Sequence, residues 1–233
     1  MDSEPALSAV GRLAHAAHPA AGRCASAALS ASCSECACSG VQSAAGIDSP
    51  PLFRGEVDEK PNVYLFVFDE YGRIDTLLNV AGVNKRKRAE TFTVEEFDFI
   101  LEINLKGAFL LSQEVGRHMI ARRGGVQINI DSLNTYAPLV GVRPYAMSKA
   151  GLSMMTRGLA CEWGRHGVRV NGLAPGFILT DMTNKLWSDP TMQEWGFRNT
   201  PLGRLGQVGD LVGTAVFLAS EASAFMTGQV LIV

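Results

Sequence analysis

The sequence predicts an α/β fold with a doubly wound parallel sheet, and three observations carry that expectation. Short apolar runs at Ile74–Asn79, Val126–Ile130 and Val168–Leu173 alternate with longer segments of helical periodicity, an order that puts parallel strands beneath helices on both faces. Each run stops at turn-forming or polar residues: Ala81-Gly82, Asp131-Ser132 and Ala174-Pro175-Gly176. With 47% hydrophobic residues and 24 glycines in 233, the chain has enough apolar material for a sizeable core.

The elements follow in order. Val63–Tyr71 is an apolar segment before Gly72 and is expected to close a helix. Ile74–Asn79 reads as a buried strand. Thr93–Arg123 is strongly helical, with Phe97, Ile100, Leu101, Phe109, Leu110 and Val115 as apolar positions and a break expected between Asn104 and Gly107. Val126–Ile130 is the next strand and Ala146–Trp163 the next helix. Val168–Leu173 is a strand, Val208–Ala219 a helix and Gln229–Val233 a final strand.

The first fifty residues belong to a different composition. Roughly two thirds of them are Ala, Ser, Gly, Cys or Pro, so residues 1–50 are expected to be a disordered or aberrant low-complexity segment, and 51–233 the ordered domain. Cys24, Cys33, Cys36 and Cys38 lie there, with His15 and His18 upstream. Cys-x-x-Cys-x-Cys spacing suits zinc, but the framework of strands and turns that orders such a site is missing, so no metal is expected. The opening Met-Asp-Ser-Glu-Pro is acidic, no apolar signal region follows, and no stretch reaches the ~18 residues of a membrane span. With 21 basic against 23 acidic residues, neither nucleic acid nor a membrane is an expected partner. A soluble, cytoplasmic protein is expected.

Chemistry is expected where such sheets bind ligands, at the carboxyl ends of the strands. Tyr145 and Lys149 form a Tyr-x-x-x-Lys on a helix, whose i, i+4 spacing puts phenol and ammonium on one face. Unperturbed tyrosine titrates near 10, so it exchanges a proton near neutrality only with help from such a cation. Ser132, from the adjacent strand end, is placed to hydrogen-bond an oxygen that changes between carbonyl and alkoxide. Each piece alone has a structural explanation; together and in order they describe carbonyl and alcohol chemistry.

On these motifs, Gly72 to Val233 resembles the classical short-chain dehydrogenase/reductase family, which implies a Rossmann-like fold and NAD or NADP as cofactor. The resemblance implies a catalytic set of Asn104, from the Asn-Leu-x-Gly stretch, with Ser132, Tyr145 and Lys149. It implies cofactor contacts from Asn79, Ala81 and Gly82, from Tyr145 and Lys149, and from Pro175, Gly176, Ile178 and Thr180. It also implies a homo-oligomer, a dimer or tetramer, joined through Thr93–Arg123 and Ala146–Trp163. Ala81-Gly82-Val83-Asn84-Lys85-Arg86, Thr180-Asp181-Met182-Thr183 and Thr200 to Gly206 look like the gluconate 5-dehydrogenase and 2-dehydro-3-deoxygluconate 5-dehydrogenase branch, so the implied substrate is a sugar acid. Arg86 is then placed to meet a substrate carboxylate, beside Ser132 and Tyr145; the other reading is a solvated charge run, Lys85 to Arg88.

Two features depart from that resemblance. No Gly-x-x-x-Gly-x-Gly fingerprint is recognisable, because Gly11, Gly22, Gly40 and Gly46 have other spacings; without flanking strands Ile74–Asn79 is expected to be a bare sheet edge. The alternative function is therefore a non-catalytic dehydrogenase-like remnant, or a mis-assembled gene product, that binds no dinucleotide. Asp131 beside Ser132 is the other departure: facing the site it would repel alkoxide charge, while strand alternation offers the opposite orientation.

Overall fold

The computed structural model describes residues 73–233 and, before them, the backbone of one strand, Leu65–Phe68. The readings of residues 1–50, including the cysteine cluster, lie outside the described residues.

Five strands lie in the order of the chain: β1 (Leu65–Phe68), β2 (Ile74–Asn79), β3 (Gly125–Ile130), β4 (Val168–Ala174) and β5 (Val230–Ile232). β2 to β5 are parallel, with Thr76 opposite Val126, Gly125 opposite Val168 and Gly172 opposite Val230. Their crossovers are helical. Between β2 and β3 run α1 (Val94–Leu101), a π-helical turn (Glu102–Gly107) and α2 (Ala108–Ala121); α3 (Arg143–Trp163) joins β3 to β4. Between β4 and β5 come α4 (Asp181–Trp187), α5 (Pro190–Arg198) and α6 (Val208–Ala219).

Side-chain alternation on β2 shows how the two faces are filled. Leu77 packs with Val115 and Met119 of α2 and Leu159 and Trp163 of α3, whereas its neighbour Leu78 packs with Ala215 and Leu218 of α6. Helices thus cover both faces, as a parallel sheet requires. Gly116 brings α2 against α3: a Cβ there would lie 2.6 Å from the Trp163 ring. Thr93 starts α1 with a capping box, its hydroxyl accepting from Glu96 N–H while the Glu96 carboxylate accepts from Thr93 N–H. Among the described residues no helix is long and apolar enough to cross a membrane.

Two expectations are corrected. Val63–Tyr71 does not close a helix, since Leu65–Phe68 is a strand, and β2 is not a bare edge, since β1 pairs with it antiparallel. The physical reason is common to both. Leu-Phe-Val-Phe has high strand propensity, and the open side of β2 presents unpaired N–H and C=O groups that such a segment satisfies. The break expected near Asn104 takes the form of the π turn.

Candidate active site

The carboxyl ends of β2, β3 and β4 bring most of the expected residues together. Asn104 sits in the π turn, an irregularity that turns its side chain into the core. Its Oδ1 accepts from Val83 N–H at 2.7 Å, while Nδ2 donates to Val83 O at 2.9 Å and to Ser148 Oγ at 3.0 Å. These bonds tie the loop after β2 to α3. Ser148 was not singled out in the sequence, although it follows Tyr145 by one helical turn; its hydroxyl donates to Tyr145 O at 2.7 Å. A polar residue at i+3 from the tyrosine is the signal that marks it.

Tyr145 lies in the first turn of α3, which begins three residues earlier than expected because Pro144 suits a helix start. Lys149 follows one turn later, buried, its Nζ donating to Ile130 O at 2.7 Å and standing 5.8 Å from the centre of the Tyr145 ring. Burial pulls the Lys149 pKa down to about 8, against the opposing pull of the Asp131 charge. Burial pushes the Tyr145 phenol above its ordinary value; a hydrogen bond with Ser132 works the other way and the Asp131 charge adds to the rise. Ser132 caps a short 3-10 turn, its Oγ accepting from Asn134 N–H at 3.1 Å. Asn104, Ser132, Tyr145 and Lys149 therefore surround one strand end, a donor and acceptor set suited to moving a proton on and off a substrate oxygen.

The other expected residues fall into three groups. Ala81 is buried, and Gly82 borders the Lys149 ammonium: a Cβ at Gly82 would lie 3.5 Å from Lys149 Nζ and 3.7 Å from Asn104 Oδ1, so glycine keeps that space clear. Asn79 is turned into the core, where Nδ2 donates to Ser112 Oγ at 2.8 Å and to Asn129 Oδ1 at 2.7 Å. Asn129 passes the chain on to Thr156 of α3 at 2.8 Å, so Asn79 holds the strand end rather than offering its amide outward. After β4, Pro175 O accepts from Leu133 N–H at 3.0 Å and Gly176 N–H donates to Val233 O at 2.7 Å, drawing the loop onto the Ser132 turn. Ile178 is buried, and Thr180 caps α4. Phe177 contacts Trp187 and Trp195, fixing α4 and α5 over this loop.

Arg86 is exposed on the loop after β2, its stem near Gly141 just before α3. Lys87 and Lys85 pair with Glu96 at 2.6 and 3.9 Å, and Arg88 with Glu90. Among the described residues Arg86 alone of these four has no carboxylate partner.

Comparison with known proteins fits this geometry. A family model described as enoyl-(acyl carrier protein) reductase, of the short-chain dehydrogenase/reductase type, matches residues 57–233. Gluconate 5-dehydrogenase of Gluconobacter oxydans (strain 621H) is 43% identical over 164 residues, 70% of this chain and 64% of that protein. The 5-keto-D-gluconate 5-reductase of Escherichia coli (strain K12) is 40% identical, over 70% of this chain and 65% of its own length. A crystal structure of a gluconate 5-dehydrogenase from Burkholderia cenocepacia J2315, in complex with NADP and tartrate, is 41% identical with a TM-score of 0.69, covering 70% of this chain and 64% of that one. The chain thus spans less than two thirds of the length of these relatives.

Proposed function

The chain belongs to the short-chain dehydrogenase/reductase family, and from that premise we propose that it interconverts a secondary alcohol and a ketone on a sugar acid of the gluconate type, with NAD or NADP. The observation that carries the reading is the convergence of Asn104, Ser132, Tyr145 and Lys149 on one strand end. Tyr145 gives a proton to the nascent alkoxide in reduction and takes it back in oxidation. Ser132 holds the same oxygen, and the buried Lys149 ammonium favours negative charge on the phenol. Asn104 secures the loop that carries Gly82, and Arg86, without a carboxylate partner of its own among the described residues, receives the substrate carboxylate.

A dinucleotide fits at one end. Gly82 leaves open the space beside Lys149, which spends one of its three N–H donors on Ile130 O, so Lys149 and Tyr145 would hold the nicotinamide ribose, with Pro175, Gly176, Ile178 and Thr180 against the ring and carboxamide. When bound, the nicotinamide supplies or accepts the hydride. The reading takes the protein to be cytoplasmic and homo-oligomeric, and exposed Met147 and Met154, seven residues apart on one face of α3, with exposed Phe109 on α2, support assembly through these helices.

The test is a fluorescence titration of the purified chain with NADH and NADPH, followed by turnover of gluconate and 5-keto-D-gluconate. Saturable binding and turnover are expected, with Tyr145→Phe losing about 10³-fold in rate while remaining folded. Undiminished turnover in that variant refutes the role of Tyr145. A folded chain that binds neither nucleotide refutes the enzymatic reading in favour of the dinucleotide-free one.

A further inference from the structure

Asp131 takes no part in the reaction assigned above, yet it is buried at its centre. It follows directly on β3 and is 3% exposed. Oδ1 accepts from Ser132 N–H at 2.8 Å and from the Thr135 hydroxyl at 2.7 Å, whereas Oδ2 is buried without a hydrogen-bond partner among the described residues. Lys149 and Ser153, one turn apart on α3, both favour the charged form of its carboxylate. The expectation that Asp131 would either repel the reacting oxygen or point elsewhere thus has a third answer: it is the buried residue that follows Ile130, whose carbonyl accepts from Lys149 Nζ at 2.7 Å.

Lys149 is the matching half. Its ammonium is buried and its hydrogen bond goes to a neutral carbonyl, that of Ile130. A buried charge of either sign is strongly penalised unless an opposite charge stands close. Gly82 from the loop after β2 stands near both the Lys149 ammonium and the uncharged Asn104 of the π turn, the Tyr145 ring lies 5.8 Å away on the same helix, and Ile130, which accepts the lysine's hydrogen bond, directly precedes Asp131. Among the described residues Asp131 is the one charge acting on it.

We propose that Asp131 is a positioning residue of the active site, the buried counter-charge that keeps Lys149 an ammonium beside Tyr145. The proposal rests on the dehydrogenase reading above. Burial draws Lys149 down to about 8, and the Asp131 carboxylate keeps it from falling further. Burial also raises the pKa of Asp131; the Thr135 and Ser132 hydrogen bonds and the Lys149 charge oppose that rise, so each of the two charges favours the charged form of the other. The same carboxylate raises Tyr145, so it makes the phenol a better proton holder while sustaining the cation next to it.

Asp131→Asn tests this, because the amide retains an Oδ1 for both hydrogen bonds and removes the charge. The full chain carrying lysine labelled with ¹³C at Cε is titrated by NMR, and the Lys149 signal is assigned by its loss in Lys149→Met. The wild-type midpoint is expected near 8, moving down by on the order of one pH unit in Asp131→Asn, with the alkaline limb of the turnover profile moving the same way and Asp131→Glu restoring both. Asp131→Ser, smaller and neutral, reads the same shift should the amide variant fail to fold. A Lys149 midpoint that stays in place in a folded neutral variant overturns the proposal. The lysine signal needs no turnover, so a wild-type protein inert toward sugar acids would overturn the assigned reaction separately and leave the midpoint to decide on Asp131.

Discussion

Replacing Lys149 by Met should abolish turnover and, in addition, change how stability depends on pH. The lysine pKa falls from 10.5 to about 8 on folding, chiefly through burial. At about 1.4 kcal/mol per unit this is a penalty of about 3 kcal/mol against the folded, charged protein. The sign follows from which state holds the proton. Below pH 8 both states bind it and the fold bears the whole penalty; between 8 and 10.5 the folded protein releases it first, so the penalty fades as pH rises. Methionine removes the charge but leaves Ile130 O without its donor, at a cost of about 1 to 3 kcal/mol, and leaves Asp131 without its counter-charge, so near neutrality the gain is more than cancelled. The pH dependence is not cancelled. Between pH 7 and 10 the stability of the variant relative to wild type should fall by about 2 to 3 kcal/mol, because only the wild type is relieved of a buried cation. Urea unfolding followed by tryptophan fluorescence at the two pH values measures the difference. A difference between the two proteins that stays constant with pH would refute the argument.

Two further outcomes follow from packing and from a surface pair. Gly116→Ala places a methyl group 2.6 Å from Trp163 and should destabilise by about 1 to 3 kcal/mol as α2 is pushed off α3; thermal unfolding at the wild-type midpoint would contradict the packing assigned to this crossing. Arg204 holds Asp210 with two hydrogen bonds, at 2.7 and 2.9 Å, and with Gln207 N–H lowers its pKa to about 2. A depressed carboxylate stabilises above its unfolded value, near 3.8, and loses that contribution as pH falls toward about 2, so Arg204→Ala should move acid unfolding to higher pH by circular dichroism; an unmoved midpoint counts against the pair.

Much of the fold is legible because its signals are local. The three apolar runs and their turn residues mark β2, β3 and β4, and the 3.6-residue pattern marks α6 to the residue. The i, i+4 spacing of Tyr145 and Lys149 places them together on α3 without any tertiary information. Elsewhere the local signal was weak or pointed the wrong way. Leu65–Phe68 is apolar enough for either structure, and only the unpaired side of β2 makes it a strand. Residues 181–198 are short and polar, yet Thr180 before α4 and Asp189-Pro190 before α5 are capping signals that foretell both helices.

The sequence by itself determined the helix and strand periodicities and the order of the chemical motifs from which the proton transfer is proposed, because these depend on residue type and short-range spacing. The tertiary structure decided the rest. It placed Asn104 in a π turn against Ser148, turned Asn79 inward to Asn129, left Arg86 without a carboxylate among its paired neighbours, and buried Asp131 next to Ile130, whose carbonyl accepts from Lys149. Those outcomes depend on burial and on charges brought close by elements far apart in the chain. Water screens such charges in the unfolded chain, and they act strongly on one another only where folding has removed it.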